Sequence, residues 1–268
     1  MTKGKKFLAY GFLTFVSILS VFPLYWMMVA ATNKSVDVSR GTLMFGTELL
    51  SNMKKLFTSQ NVGAALGNSF KYSIAMTLVS LFICSIAGYG FEIFHDKAKD
   101  RVMSILLLAM MVPFAAIMIP LYQLFSRANL LNSTLGFILP SISTPFLIMM
   151  FRQSARSFPV DIMEAARLDG LNEFQIFCLI FIPTMRSTYA AAMTITFMNA
   201  WNSYLWPKVI MSDADSITMP MMVANLKSGY VTDYGMLMLG VLLCTIPTVI
   251  IFFLLQRSFA EGITGAVK

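Results

Sequence analysis

Six long stretches without Asp, Glu, Lys or Arg run through the 268-residue chain. Each is at least 20 residues long, and a helix needs about 20 residues to cross the hydrocarbon core of a bilayer. The stretches are Phe7–Asn33, Tyr72–Phe91, Val102–Ser126, Ala128–Phe151, Ser187–Pro207 and Tyr234–Gln256. Only 12% of the residues are charged and 57% are hydrophobic, whereas soluble domains carry about 25% charged residues. The sequence therefore predicts an all-α polytopic membrane protein with six transmembrane helices.

The basic residues lie in short clusters between these apolar stretches. With the N-terminus placed in the cytoplasm, 12 of the 20 Lys and Arg residues fall on cytoplasmic segments, as the positive-inside rule requires. We therefore expect both termini in the cytoplasm. Because the net charge of +7 follows topology rather than one basic face, no nucleic-acid partner is expected.

Cysteine and histidine form no pattern typical of a metal site or a disulfide framework. Cys84, Cys178 and Cys244 are far apart and have apolar neighbours, which is typical of buried free thiols. His95 lies in a charged stretch, where we expect it to be solvated. The sequence contains no G-x-x-x-x-G-K-[ST] phosphate loop, so it cannot cradle a nucleotide in that way. We expect no catalytic residue, no metal and no cofactor in this chain, and hence no enzyme.

Residues 152–186, between the fourth and fifth stretches, carry the clearest local signals. Pro159 favours a helix start and Gly170 a helix stop. Asn172 followed by Gln175 resembles a capping box that begins a second helix. We predict two short helices joined by a turn. The residues leave open whether this pair lies in the membrane interface or transmits force from a soluble partner.

Within this stretch, EAARLDGLNEFQIFCLIFIP resembles the EAA signature of ABC-importer permeases. Glu164-Ala165-Ala166, Gly170 and Ile182-Pro183 fill its diagnostic positions. We call residues 157–183 the EAA segment. The resemblance implies that this segment seats on an ATPase subunit and couples ATP hydrolysis to transport. The coupling residues so implied are Glu164, Ala165, Ala166, Arg167, Asp169 and Gly170.

Three further elements resemble the carbohydrate-importer branch of that family, and in particular its maltose-type second permease. They are WNSYLWP at 201–207, Asn68-Ser69 before the second stretch, and the ending QRSFAEGITGAVK, which lacks the terminal Gly often seen in the family. The resemblance implies a permease that passes a sugar or oligosaccharide from an extracytoplasmic binding protein into the cytoplasm. The nearest alternative is a permease for a non-sugar solute, such as a glycerol phosphate ester or an amino acid.

The resemblance also implies the type I ABC importer permease fold and a set of partners. These are a second homologous permease in a heterodimer, two ATPase subunits that bind ATP and Mg, an extracytoplasmic sugar-binding protein and membrane lipid. The implied location is the inner (cytoplasmic) membrane of a bacterium or archaeon. The implied domains are 1–65, the first transmembrane helix and an extracytoplasmic segment; 66–257, the type-1 core with the EAA segment; and 258–268, a cytoplasmic tail.

Polar residues in the fifth stretch are candidates for the translocation path. At about 100° per residue one helical face would carry most of them, and they could equally hydrogen-bond to neighbouring helices. They are Thr196, Asn199, Asn202, Ser203 and Trp206. The 26-residue loop Lys208–Asp233 is longer than a helix connection needs, and in the family resembled it reaches the binding protein. Its contact candidates are Met219, Met221 and Met222, because methionine adapts to varied surfaces.

Prolines and one amphipathic segment complete the predicted architecture. Pro113 and Pro120 should kink the third span, and Pro140 and Pro145 the fourth. Residues 48–57 place five apolar side chains on one helical face, which predicts a short interfacial helix.

Two other classes of protein fit the sequence less well. An ion-coupled secondary transporter usually places ionisable residues within its spans, and the six stretches contain no Asp, Glu, Lys or Arg. An intramembrane enzyme needs paired catalytic groups at membrane depth, and no Gly-x-Ser-x-Gly or His-x-x-x-His element is present.

Overall fold

The computed structural model describes residues 3–227 and 231–265. All regular secondary structure in these two ranges is helical. The α-helices are α1 (Lys3–Ala31), α2 (Ser35–Ser39), α3 (Leu49–Ser59), α4 (Val62–Ile93), α5 (Lys97–Ala109), α6 (Phe114–Arg127), α7 (Thr134–Ile138), α8 (Pro145–Ala155), α9 (Val160–Leu168), α10 (Glu173–Ile176), α11 (Ile182–Thr184), α12 (Arg186–Trp201), α13 (Leu205–Ile210), α14 (Met219–Asn225) and α15 (Tyr234–Gly265). A π-helical turn, Phe177–Phe181, joins α10 to α11, and 3₁₀ turns lie at Leu139–Ser141 and Ala214–Ser216.

Among the described residues, three helices are long and apolar enough to cross a membrane unbroken, namely α1, α4 and α15. Three bent helix pairs reach the same length and apolarity when each pair is taken together. Their bends are 98° between α5 and α6, 56° between residues 134–141 and α8, and 82° between residues 173–184 and α12. Counting each bent pair as one span gives the six spans that the sequence predicts.

Proline chemistry accounts for the bends in the third and fourth spans. Pro113 precedes α6 as its N-cap, and Pro145 is the first residue of α8. Proline has no N–H and its ring clashes with the carbonyl four residues back, so an incoming helix cannot continue through it. The predicted kinks at Pro113 and Pro145 are confirmed. Pro120 lies inside α6, whose helix continues past it.

Side chains from α4 stabilise the break in the fourth span. Ser80 Oγ donates to the carbonyl of Ser141 at 3.3 Å, and Cys84 Sγ lies 3.5 Å from the carbonyl oxygen of Ile142. In a bilayer a carbonyl freed by a helix break has no water to bond, so it needs a partner within the protein. Cys84 is buried, as expected.

The chain divides into two compact units. Among the described residues, the first unit comprises 3–65, 219–227 and 231–247, and the second comprises 66–218 and 248–265. The compact units divide after residue 65, and the described residues of 219–247 group with the N-terminal ones, whereas the predicted domain limits stay a prediction. Of the predicted tail at 258–268, residues 258–265 continue α15, and residues 266–268 lie outside the described part of the chain.

The first unit is held together by buried amides. Asn52 on α3 is 1% exposed and donates to the carbonyls of Ala31 and Asn33 at 2.9 and 3.0 Å. Asn33 in turn donates to the carbonyls of Val29 and Met44. The short helix predicted at 48–57 is present as α3. Its Leu56 is buried, whereas Leu50 is 76% exposed.

The second unit contains two apolar clusters that position the sites described next. One surrounds Phe151 of α8 and includes Leu81, Cys84 and Ala192 from the second and fifth spans. The other lies beneath the EAA segment and is rich in aromatic rings. Its buried members are Tyr89, Ala155, Phe158, Met163, Ala166, Ile176, Phe177, Phe181 and Met185.

Candidate functional site

The EAA segment folds as the sequence predicts. Helix α9 follows Pro159 as its N-cap residue, and the chain reverses at Gly170 with φ +85°, a conformation that glycine adopts without steric cost. The Asn172 side chain accepts from the Gln175 N–H, and the Gln175 side chain accepts from the Asn172 N–H, both at 2.9 Å. The predicted pair of helices, the turn and the capping box are confirmed.

Helix α9 presents two different faces. Met163 and Ala166 are buried against the aromatic cluster, while Leu168 on the opposite side is 90% exposed. Of the six predicted coupling residues, five are exposed: Glu164, Ala165, Arg167, Asp169 and Gly170. The sixth, Ala166, is buried, so its methyl group packs inward and is not offered to a partner.

Two residues that the sequence analysis missed fix the angle of α9. Arg167 Nε donates to Glu173 Oε1 at 2.7 Å, across the turn at Gly170. The Tyr89 hydroxyl of α4 donates to the other oxygen, Glu173 Oε2, at 3.2 Å. The Glu173 carboxylate also raises the pKa of the Arg167 guanidinium above its usual value. No local pattern could have indicated this link, since Tyr89 is 84 residues from Glu173.

A chamber with uncharged walls lies where three helix breaks meet in the second unit. Its two parts have volumes of about 440 Å³ and about 300 Å³, and they share Met76, Ser141, Thr144 and Asn199. The larger part is also lined by Phe114, Phe137, Ala200, Asn202, Ser203, Tyr204, Leu205 and Trp206. The smaller part is also lined by Met110, Phe146, Leu147, Ile195 and Thr196. All of these lining residues are uncharged.

The structure brings all five path candidates to the chamber wall, but not on one helical face. Helix α12 ends at Trp201, and α13 starts only at Leu205. Pro207 explains the break, because a continuous helix would force its ring against the carbonyl of Ser203. Thr196 and Asn199 therefore reach the chamber from α12, and the others from the break and α13.

The five candidates differ in how their polar groups are satisfied. Trp206 donates from Nε1 to the carbonyl of Gly136 at 2.9 Å, and Asn202 donates to the carbonyl of Met198 at 2.9 Å. Thr196 Oγ1 is buried and has no hydrogen-bond partner among the described residues. Asn199 is exposed to the chamber. Trp206 thus stabilises the fold, and Asn199 presents its amide to the chamber, whereas the Thr196 hydroxyl is buried in the wall.

The three methionines of the loop at 208–233 lie inside the fold. Met219, Met221 and Met222 are 0%, 3% and 1% exposed and belong to α14. A Cβ added to Gly240 of α15 would lie 2.9 Å from Leu226 at the end of this segment, so the two elements pack closely. The expectation that these methionines are exposed is wrong, because the apolar side chains of α14 form part of the core. Residues 228–230 of the loop lie outside the described part of the chain.

The described residues that line the chamber include no Asp, Glu, Lys, Arg or His. Among the described residues, no group of three His, Cys, Asp or Glu side chains could hold a metal ion.

The protein has six apolar spans, a chamber with uncharged walls at the helix breaks, and a helix–turn–helix with one face exposed on the protein surface. These three features together are those of a membrane permease. The fold is that of ABC-importer permeases. A chain of a bacterial ABC transporter involved in the import of the acidic polysaccharide alginate matches with a TM-score of 0.85, covering 97% of this chain and 99% of that one at 16% sequence identity. A chain of the MetNI methionine ABC transporter in an inward-facing conformation matches with a TM-score of 0.52, covering 74% and 96% at 20% identity.

The chain belongs to the family of binding-protein-dependent transport system inner membrane components, whose model matches residues 80–265. It is 44% identical to the lactose transport system permease protein LacG of Rhizobium radiobacter, over 97% of this chain and 95% of the relative. It is 35% identical to the arabinooligosaccharides transport system permease protein AraQ of Halalkalibacterium halodurans, over 97% and 95%. It is 30% identical to the sn-glycerol-3-phosphate transport system permease protein UgpE of Escherichia coli K12, over 92% and 92%.

Proposed function

We propose that this chain is the permease subunit of an ABC importer that carries an uncharged sugar or oligosaccharide into the cytoplasm. The observation that carries the proposal is the EAA segment. It combines a firmly anchored inner face with an exposed outer face that bears Glu164, Arg167 and Leu168. A helix anchored in this way can pass a push or pull from a docked partner to the spans without bending.

The complete importer contains partners that this chain requires. A second, homologous permease forms the other half of the path, and two ATPase subunits bind ATP and Mg and hydrolyse the nucleotide. An extracytoplasmic binding protein delivers the solute. The chain crosses the cytoplasmic membrane with both termini and the EAA segment on the cytoplasmic side, as the distribution of Lys and Arg favours.

The chemistry of the chamber supports a neutral solute. The relatives include permeases of lactose, arabinooligosaccharide and sn-glycerol-3-phosphate systems, and the last solute is an anion. Transferring an anion past walls without a cation costs several kcal/mol, whereas amide groups such as those of Asn199 and Asn202 suit sugar hydroxyls. The uncharged lining therefore favours the sugar systems over the phosphate ester as the model for this chain.

Coupling through the EAA segment is tested by Gly170→Asp and Glu164→Lys. Aspartate at Gly170 is strained at φ +85°, and lysine at Glu164 reverses a charge on the exposed face. In the reconstituted complex we expect ATPase activity stimulated by the loaded binding protein to fall on the order of tenfold, which corresponds to about 1.4 kcal/mol of coupling free energy. Lys97→Glu, an exposed charge reversal outside the segment, serves as the control. Wild-type stimulation in both EAA variants would show that the ATPase seat lies elsewhere.

A further inference from the structure

A buried arginine joins the ends of three spans in the second unit. Arg152, in the last turn of α8, is 3% exposed. Its Nε donates to Glu92 Oε2 near the end of α4 at 3.1 Å, and its Nη2 donates to Asp100 Oδ1 in the first turn of α5 at 2.5 Å. One guanidinium therefore bonds the second, third and fourth spans together.

The two carboxylates are held in place by further charged groups at the edge of the cluster. Arg156 Nε lies 3.4 Å from Glu92 Oε2, and His95 Nε2 lies 3.0 Å from Asp100 Oδ2. Both outer groups are 49% exposed, whereas the Arg152 side chain is 4% exposed. Arginine is rarely buried unless it is paired, and its planar fork can hold two acceptors in fixed directions. Arg152 is thus the central residue of the cluster, and the others support it.

Close packing makes this connection stiff. Gly88 lies one turn before Glu92 on α4, and a Cβ added there would lie 2.5 Å from Cβ of Phe151 and 2.8 Å from the backbone nitrogen of Arg152. The backbones of α4 and α8 therefore touch beside the ion pairs. With Phe151 fully buried, the two helices have little freedom to slide past one another at this level.

The next residue on α4 connects the same point to the EAA segment. Tyr89 donates its hydroxyl to Glu173 at 3.2 Å, and Glu173 is bonded to Arg167 of α9 at 2.7 Å. The Tyr89 ring packs against Phe177 and Phe181 at centroid distances of 5.4 and 4.9 Å. The last two turns of α4 thus contact the EAA segment on one side and Arg152 on the other.

We propose that Arg152 is a positioning residue for energy coupling: by bonding Glu92 and Asp100, it makes the ends of the second, third and fourth spans move as one body with the EAA segment. This inference rests on the proposed coupling function of that segment. Without the clamp formed by these three residues, a displacement of α9 would still reach α4 through Tyr89, and packing at Gly88 would still pass it to α8. Its transfer to α5 would lose the bond from Arg152 to Asp100.

The test compares Arg152→Gln with the triple variant Glu92→Gln/Asp100→Asn/Arg152→Gln in the complete reconstituted complex. The single variant leaves the partly exposed Glu92 and Asp100 carboxylates without the cation that joins them, whereas the triple variant removes all three charges together. For each we measure the yield of assembled complex, its thermal stability, and the ratio of binding-protein-stimulated to basal ATPase activity. Arg101→Gln removes an exposed positive charge next to Asp100 and is the matched control.

We expect the stimulation ratio to fall at least fivefold in both variants, with a lower yield in the single variant and a recovered yield in the triple variant. Recovery of stimulation together with yield in the triple variant would show that the cluster only stabilises the fold, and wild-type stimulation in Arg152→Gln would also overturn the proposal. Gly170→Asp, assayed in parallel, separates the two claims. If it abolishes stimulation while Arg152→Gln does not, only the role of Arg152 fails; if neither variant reduces stimulation, the coupling function of the EAA segment fails as well.

Discussion

At the scale of single residues, several charged side chains outside the membrane-spanning segments form ion pairs. His95 is exposed, as the sequence predicts, and its Nε2 lies 3.0 Å from a carboxylate oxygen of Asp100, five residues further along the chain. Lys55 of α3 and Asp233 before α15 form an ion pair of 2.9 Å although they are 178 residues apart. Burial acts to raise the pKa of Asp233, but the Lys55 ammonium and two backbone N–H groups outweigh burial and hold this pKa below its usual value. The Asp233 carboxylate in turn raises the pKa of Lys55.

The Lys55–Asp233 pair predicts a small, pH-dependent contribution to stability. A lowered Asp pKa stabilises the fold above the usual Asp value, near pH 4, and this contribution disappears as the pH falls through the folded pKa. The raised Lys55 pKa keeps its contribution up to the alkaline range. Because both side chains are partly exposed, Lys55→Gln should cost about 0.5–1 kcal/mol at pH 7. Thermal unfolding of the Lys55→Gln variant and the wild type in detergent, repeated from pH 7 to pH 3, measures the difference in stability between them.

The neighbouring exposed residue Lys54 supplies the matched control. Lys54→Gln removes the same charge and should change the stability by less than about 0.5 kcal/mol. A Lys55→Gln deficit that stays constant down to pH 3 would contradict the ion-pair explanation.

At the scale of elements, the loop after the fifth span presents a fixed acidic tip. Asn132 Oδ1 accepts from the N–H groups of Ser212 and Asp213 at 2.7 and 3.2 Å. Asn68, part of the Asn-Ser pair noted in the sequence, donates to the carbonyl of Asp215 at 2.6 Å. The side chains of Asp213 and Asp215 remain exposed. This tip replaces the buried methionines of α14 as the accessible surface of the loop.

The acidic tip gives a sharper test of binding-protein contact than replacement of α14 would, since α14 is part of the core. We expect Asp213→Lys/Asp215→Lys to weaken stimulation by the loaded binding protein several-fold, through a slower and more salt-sensitive association. Basal ATPase activity and the yield of complex should be unchanged. Titrating the binding protein at two salt concentrations measures the effect, with Asp37→Lys on α2 as the control. Identical titration curves for the tip variant and the wild type would exclude the contact.

At the scale of the whole molecule, broken spans create a chamber that straight helices could not enclose. The breaks before Phe114, at Ser141–Thr144 and at Asn202–Tyr204 all face it. Backbone that leaves helical geometry at membrane depth is tolerated where it lines a cavity or is buried in protein. The three breaks thus open one space within the apolar bundle and bring a few uncharged polar groups to its wall.

The uncharged lining of the chamber predicts selective transport. In proteoliposomes that contain the complete importer, a neutral sugar should be taken up in preference to the anion sn-glycerol-3-phosphate, and lactose serves as the first neutral probe. Asn199→Leu should reduce lactose uptake about two- to tenfold, since one neutral hydrogen bond contributes about 0.5–1.5 kcal/mol. Met198→Leu, one residue earlier on α12, is the control.

Uptake of the phosphate ester at a rate similar to that of lactose would contradict a neutral path. Unchanged lactose uptake in Asn199→Leu would remove Asn199 from the path without affecting the coupling argument, because the EAA segment is tested by ATPase stimulation alone.

Local chemistry allowed the sequence by itself to determine the spans, the kinks at Pro113 and Pro145, and the helix–turn–helix of the EAA segment. A span is recognised from a continuous stretch of about 20 residues without charge. A proline, a turn glycine and a capping box each affect the backbone within a few residues, so they are recognised from neighbouring positions. The orientation in the membrane and the domain limits stay predictions.

Only the tertiary structure decided which polar and apolar groups meet. Two of these contacts join residues that are distant in the chain, namely the bond from Tyr89 to Glu173 and the pairing of Arg152 with Glu92 and Asp100. The burial of Ala166 and of the α14 methionines likewise depends on contacts with distant residues. The sequence also placed Thr196 through Trp206 on one helix, whereas the break before α13 set them around a chamber. Packing fixes such contacts because each depends on how several helices cross, and helical periodicity describes only one helix at a time.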